Sequence, residues 1–201
     1  MEKCKKREKW MSGMKRTTTL ISCSTIKTKI GWCAVVATGK VVLRIAIGFP
    51  ERKQLLTQIL KEFGSAIEKK PARMSITEEV RHYFSGKKVF LNCAMDWSSL
   101  SPFQQKVYKA AMKVPYGTVE TYGNLARRIG CPKGARAVGG ALSKNPFPLV
   151  VPCHRIVRGD GGLGGFSARG GIALKKKLLK LEKLSSACPK NPIFLVKNSK
   201  S

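Results

Sequence analysis

The sequence predicts an α/β N-terminal domain, a β-sheet with helices, followed by a mostly α C-terminal domain with a helix-turn-helix of winged-helix-like type. Three observations predict it. Residues 17–48 are rich in Ile, Val and Thr and broken by the turn signal Thr38-Gly39-Lys40. Two short helical patterns, 121–130 and 135–142, are joined by the turn Cys131-Pro132-Lys133-Gly134. The 201 residues carry 39 Lys+Arg against 11 Asp+Glu, a net charge of +28 that points to a polyanionic partner. Hydrophobic content of 43% is enough for a packed core. The expected division is a basic leader 1–16, an α/β domain 17–97, a helix-turn-helix domain 98–184 and a basic tail 185–201.

Residues 1–16 are basic and lack apolar periodicity. The hairpin is expected to pair Ile30–Ala37 with Val41–Ile47. Pro50 opens a helix whose Leu55, Leu56, Ile59, Leu60 and Phe63 fall on one face, and Gly64 ends it. A second helix starts at Ser75, where Ser75-Ile76-Thr77-Glu78 has the form of a capping box, and carries Val80, Tyr83 and Phe84. Val89–Cys93 is read as a further short strand.

Ser101-Pro102-Phe103 begins the helical half, with proline in the first turn and Val107, Tyr108, Ala111 and Met112 forming an apolar face. Pro115-Tyr116-Gly117 stops that helix. The two short helices follow, with small residues at their crossing and Arg136 on the second. This is the pattern of a DNA-reading pair, set against an ordinary αα-hairpin. Asn145-Pro146-Phe147-Pro148 cannot be a regular helix or a central strand, so it is a rigid bend. The loop 158–167 is glycine-rich and matches neither a dinucleotide fingerprint nor a P-loop. The last helix runs from Gly171 to Leu184 with Leu174, Leu178, Leu179 and Leu181 as its buried set.

The bend feeds Pro152-Cys153-His154-Arg155. The chain has seven cysteines and two histidines, and only Cys153 adjoins a histidine. A free thiol titrates near ~8.5 and is mostly protonated at neutral pH. An imidazole, or a water that it polarises, can take the proton and leave a soft nucleophile. The imidazole needs a carboxylate to hold one tautomer. Downstream of the site the candidates are Asp160, in the glycine loop, and Glu182, on the last helix. The rigid helix favours Glu182. A thiolate on a DNA-binding face is suited to attack an sp3 carbon. An alkylated guanine must then be flipped out of the duplex into a pocket, lined by the glycine loop, Tyr122 and the proline-bent segment.

Other classes fit poorly. No apolar run approaches the ~20 residues of a membrane span, and no secretion signal is read. The odd cysteine count and lack of a CxxC pair argue against a disulfide framework and for a reducing compartment, cytoplasmic, or nuclear in a eukaryote. Cys4, Cys23, Cys33 and His82 are the one set that could gather round a zinc ion, but their spacing is long and irregular, and no metal or cofactor is expected. His82 is expected to be an ordinary surface or core histidine.

The C-terminal half resembles the O6-alkylguanine-DNA alkyltransferases, or methylated-DNA–protein-cysteine methyltransferases. The matching residues are Val114-Pro115-Tyr116-Gly117, Thr121-Tyr122-Gly123-Asn124-Leu125-Ala126 and Ala135-Arg136-Ala137-Val138-Gly139-Gly140-Ala141. Lys144-Asn145-Pro146, Val151-Pro152-Cys153-His154-Arg155-Ile156-Val157 and the run ending at Glu182 complete the match over about residues 101–184. The N-terminal part matches only in outline. The resemblance implies a single-turnover enzyme, a methylated-DNA–[protein]-cysteine S-methyltransferase. It would act as a monomer on double-stranded DNA containing O6-alkylguanine, away from membranes and without a cofactor.

By the same resemblance, Cys153 is the alkyl acceptor, His154 the water-mediated base and Glu182 its orienting carboxylate. Tyr122 donates a proton to the guanine ring nitrogen. Asn145 braces the bend and the turn of the helix-turn-helix. Arg136 intercalates where the base has left, from a helix in the minor groove. Ser167 hydrogen-bonds the guanine oxygen, and Leu142, Pro148 and Phe166 pack the ring. Gln104, Gly123, Cys131 and Gly159 fall at DNA-backbone positions. Phe166 stands where some members carry tyrosine, and Ala168-Arg169 looks like a small insertion. The competing readings are a non-catalytic alkylated-DNA sensor of the same fold and a DNA-binding regulator unrelated to damage.

Overall fold

In a computed structural model of the chain, residues 21–64, 67–68 and 75–184 are described. The basic leader and the basic tail lie outside the described residues, as does Cys4. Strands β1 (Ile21–Thr28), β2 (Gly31–Thr38) and β3 (Val41–Phe49) form an antiparallel meander. Ile21 pairs with Thr38 at one end of the first hairpin and Thr28 with Gly31 at the other. The two-residue strands β4 (Ile67–Glu68) and β5 (Ala94–Met95) extend the sheet in parallel, giving the order β4-β1-β2-β3-β5. The expected strand over Val89–Cys93 does not form. Its place is taken by β5, whose two residues pair with Val41 and Val42.

Cys33, Val35 and Ala34, Val36 alternate along β2, and both faces are buried. Ala34, Val36, Ala46 and Phe49 pack under Leu55 and Ile59 of helix α1 (Arg52–Phe63). The other face, with Cys33, Val35, Ile45 and Ile47, joins a core that includes Ile76, Val80, Tyr83 and Phe84 of α2 (Ser75–Phe84). Two helix faces are narrower than their spacing predicts. Leu60 is 52% exposed, because the sheet covers only the Leu55–Ile59 side, and Met112 is 38% exposed.

Helix α3 (Pro102–Met112) starts on a capping box in which Ser101 and Gln104 exchange hydrogen bonds, and its Val107, Tyr108 and Ala111 enter the same core. Helices α4 (Tyr122–Arg128) and α5 (Ala135–Leu142) form the helix-turn-helix. Thr121 caps α4 by accepting from the Asn124 N–H. Strands β6 (Glu120–Thr121) and β7 (Ile156–Val157) pair in parallel, joining the start of α4 to the segment after His154. Helix α6 (Gly171–Leu184) is the last element among the described residues.

The core is continuous from Ile26 to Leu178, so sheet and helices share one interior. The β3 edge also carries the bend: the Ile45 N–H donates to Pro146 O at 2.9 Å. Gly48, at φ +80°, lies so close to the loop before α6 that an added Cβ would fall 2.3 Å from Arg169 O. Among the described residues no helix is long and apolar enough to cross a membrane.

Candidate active site in a basic groove

The Cys153 thiol is positioned by backbone it does not control. Leu149 is held at φ +79°, a left-handed conformation that costs a branched residue about 1–3 kcal/mol. Asn145 keeps this strained bend in place. Its Nδ2 donates to Val151 O at 2.9 Å, and its Oδ1 accepts from the Phe147 N–H at 2.9 Å. The same Nδ2 donates to Cys153 Sγ at 3.3 Å. Asn145 thus braces the bend and the sulfur together. Its side-chain bonds do not reach the turn between α4 and α5, contrary to that part of the expectation, because all of them are used within the bend.

Residues Cys153–Arg155 form one 3-10 turn. Cys153 is 7% exposed and His154 is wholly buried. His154 Nε2 lies 2.7 Å from Glu182 Oε1, so Nε2 carries the proton and Nδ1 keeps its lone pair. Nδ1 has no protein partner among the described residues. Burial holds His154 below its ordinary value against the opposing pull of Glu182. Asp160, the other carboxylate considered, is exposed and pairs with Arg158 at 2.6 Å.

Glu182 is the hub of the buried network. It accepts from Tyr83 Oη at 2.8 Å, from the Gly117 N–H at 3.0 Å and from the Arg155 guanidinium at 3.0 Å. Burial alone would raise its carboxyl. His154 and Arg155 outweigh that and hold it at about 2. The remaining Arg155 donor Nη1 bonds Val114 O at 2.7 Å, so this buried cation is paired and satisfied.

Lys175 is the second buried cation. Its Nζ donates to Ile156 O and Leu163 O, each at 2.5 Å, and sits 5.7 Å from the centre of the Tyr122 ring. Burial brings it down to about 8. Burial raises the Cys153 thiol, while the Asn145 amide and the Lys175 charge pull it down. Tyr122 is likewise raised, first by burial and then by the sulfur, so its hydroxyl keeps its proton at neutral pH.

Cys153 opens onto a groove of about 1910 Å3 between the helix-turn-helix, the glycine loop and α6. Tyr122, Gly123, Arg136, Leu142, Gly159, Phe166 and Ser167 line it too. Five cations, Arg127, Arg136, Arg158, Lys176 and Lys180, face one carboxylate, Asp160, which gives the groove the charge of a phosphate-binding surface. Gly164 lets the loop close over Tyr122: a Cβ there would meet the ring at 2.9 Å. Pro148 is buried and borders a smaller cavity on the other side of the thiol, together with Asn145. Gln104 and Cys131 do not reach the groove. Gln104 is engaged in the cap of α3, and Cys131 closes the turn after α4 through its N–H to Ala126 O.

Three participants were not apparent from sequence. Tyr83 comes from a distant helix, and only the fold brings it to Glu182. Arg155 lay inside the recognised motif without a partner to suggest its role. Lys175 is hidden in a lysine run, yet 171, 175, 178 and 182 share one helical face, and that period sets it apart from Lys176 and Lys177. Among the described residues no cluster of three or more His, Cys, Asp or Glu could hold a metal, and His82 is exposed.

A depressed His154 has a consequence for pH. A reaction of the Cys153 thiol that needs a neutral imidazole should hold its rate through neutral pH and fall only below about 6.5, the ordinary histidine value. Rates of thiol alkylation across pH 5–9 test this. A midpoint above pH 7 would assign the titration to another group.

Fold and site together define a helix-turn-helix protein with a buried thiol, next to a carboxylate-held histidine, at the edge of a basic groove. Residues 102–184 match the family model described as the 6-O-methylguanine DNA methyltransferase DNA binding domain. The chain is 32% identical over 164 residues to the methylated-DNA–protein-cysteine methyltransferase of Mycobacterium leprae, covering 82% of this chain and 93% of that protein. It is 34% identical over 132 residues to the protein of that name from Methanothermobacter thermautotrophicus, covering 65% and 73%. It also superposes on the crystal structure of Mycobacterium tuberculosis OGT in complex with DNA. There the TM-score is 0.68 at 32% identity, over 82% of this chain and 94% of that one. The O6-methylguanine-DNA methyltransferase of Pyrococcus kodakaraensis gives a TM-score of 0.62 at 32% identity, over 81% and 98%. The chain belongs to the methylated-DNA–protein-cysteine methyltransferase family.

Proposed function

We propose that this chain repairs DNA by flipping O6-alkylguanine out of the duplex and moving the alkyl group irreversibly to Cys153. The observation that carries the proposal is the arrangement about one sulfur. Cys153 Sγ faces a cationic groove, accepts from Asn145, and adjoins an imidazole whose far nitrogen is held by Glu182. His154 Nδ1 takes the thiol proton through a water. Sγ attacks the alkyl carbon, the carbon–O6 bond breaks, and the electron pair passes to the guanine. The Tyr122 hydroxyl supplies a proton to the ring nitrogen, and the Lys175 charge steadies the phenolate left behind. The thioether has no leaving group of comparable ease, so each molecule acts once.

Ser167 would bond the guanine oxygen, with Leu142, Pro148 and Phe166 against the ring. Gln104, Gly123, Cys131 and Gly159 would flank the DNA backbone. Incubation with a duplex containing O6-methylguanine, followed by mass analysis of the Cys153 peptide, tests the proposal. A gain of one methyl is expected. Retained binding with no gain would make the protein a sensor instead.

Arg136 lies exposed on α5 and lines the groove, placed to fill the gap left by an extruded base. Arg136→Ala should slow transfer from duplex roughly 10²-fold, the cost of a few kcal/mol for unassisted flipping. Transfer from the free O6-methylguanine base should be unchanged. Equal losses on both substrates would rule out the intercalating role.

A further inference from the structure

Cys153 lies where two cavities meet. The second, of about 310 Å3, shares Ser143, Cys153, Phe166 and Ser167 with the groove. It then runs between the β3 edge, Gln58 of α1 and the loop at Ala168-Arg169. That volume equals roughly ten water molecules in the liquid, far more than a methyl group fills. Arg44, Lys144 and Arg169 line it, and no carboxylate does.

Of these cations, Arg44 alone has a carboxylate partner among the described residues. Arg44 is about one quarter exposed, and its buried Nε donates to nothing among the described residues. Its Nη1 forms an ion pair with Glu62 Oε1 at 3.6 Å, longer than a hydrogen bond. The Arg169 guanidinium rests 5.3 Å from the centre of the Phe49 ring. The lack of a Cβ at Gly48 seats the Arg169 backbone directly on β3, so this part of the wall is braced by the sheet.

Displacement at carbon requires sulfur, carbon and O6 to lie in line. Whatever else the carbon carries must therefore project sideways. We infer that the cavity beside Cys153 receives the O6 substituent, and that Arg44, Lys144 and Arg169 select substituents longer than methyl that end in a carboxylate. The inference rests on the proposed transfer to Cys153. The bond changes are the same: Sγ bonds the first carbon, the carbon–O6 bond breaks, and guanine leaves with the pair and one proton. The carboxylate tail stays in the cavity as part of the thioether.

The test uses three duplexes that differ only in an O6-methyl, O6-carbamoylmethyl or O6-carboxymethyl group on one guanine. Transfer to the Cys153 peptide is followed by mass for the wild type, Arg169→Gln, Arg44→Gln and the double variant. The quantity read is the carboxymethyl to carbamoylmethyl rate ratio, because intrinsic reactivity cancels between proteins. The ratio should fall several-fold in each single variant and roughly tenfold in the double, about the worth of one charge-assisted hydrogen bond. O6-methyl transfer should be unchanged. Arg169 is exposed, so Arg169→Gln keeps the fold and decides the matter even if Arg44→Gln does not. A ratio unmoved by Arg169→Gln overturns the inference while leaving methyl transfer intact. Absence of methyl transfer in the wild type overturns the underlying reading instead.

Discussion

Glu182→Gln should lower the melting temperature on the order of 10 °C, the counterpart of the roughly 3–5 kcal/mol lost when one partner of a buried ion pair is removed. The carboxylate accepts from Tyr83, Gly117, His154 and Arg155 at once. An amide oxygen cannot serve them all, and its NH2 would point a donor at other donors. Arg155 would be left as a buried cation without its counter-charge. Transfer should fall by roughly 10²–10⁴-fold as well, because His154 loses the group that fixes its tautomer. Tyr83→Phe removes one of these bonds and should cost only about 1 kcal/mol. Thermal melts of both variants give the comparison. A Glu182→Gln protein that melts with the wild type would show that the network carries little of the stability.

The same carboxyl sets an acid limit. Its folded value of about 2 lies below the ordinary 4.5. A depressed carboxyl stabilises the fold fully above its unfolded value, so this contribution is present above about pH 4.5 and is lost as pH falls through 2.

Cys153→Ser should abolish alkyl transfer while leaving DNA affinity within about a factor of three, under 1 kcal/mol. A serine hydroxyl is a far weaker nucleophile, and an imidazole base below its ordinary value cannot ionise it usefully. The Asn145 amide would still find an acceptor, so the bend should hold. The other described thiols offer a control. Burial pushes Cys33 up to about 12 and Cys93 to about 11, and no carboxylate-held histidine serves either. Alkyl-labelled peptides mapped by mass should carry the label at Cys153 alone. A label on any of them in the serine variant would move the nucleophile elsewhere.

Elements whose cause is local were legible. The β2–β3 hairpin turns at Gly39-Lys40, α1 stops at Gly64, and α3 starts at the Ser101 cap, each from one or two residues with a definite backbone preference. Elements whose cause lies far along the chain were not. Strand β5 exists because Ala94 and Met95 meet Val41 and Val42, so the apolar run at Val89–Cys93 was a false guide. The parallel pair β6–β7 is two residues long on each side and leaves no periodic trace. The exposure of Leu60 and Met112 likewise depends on which neighbours cover a helix face.

Order along the chain was sufficient to mark Cys153 with His154 beside it, the paired short helices and the proline bend, because each is a chemical or steric statement about adjacent residues. Position in space decided the rest. Tyr83 lies 99 residues from Glu182 and Arg155 lies 27 from it. Lys175 becomes a buried charge only when carbonyls of Ile156 and Leu163 close around it. The second cavity exists only where β3 and the loop before α6 meet. Burial and hydrogen-bond partners tune a thiol, an imidazole and a carboxylate, and both are properties of the packed interior.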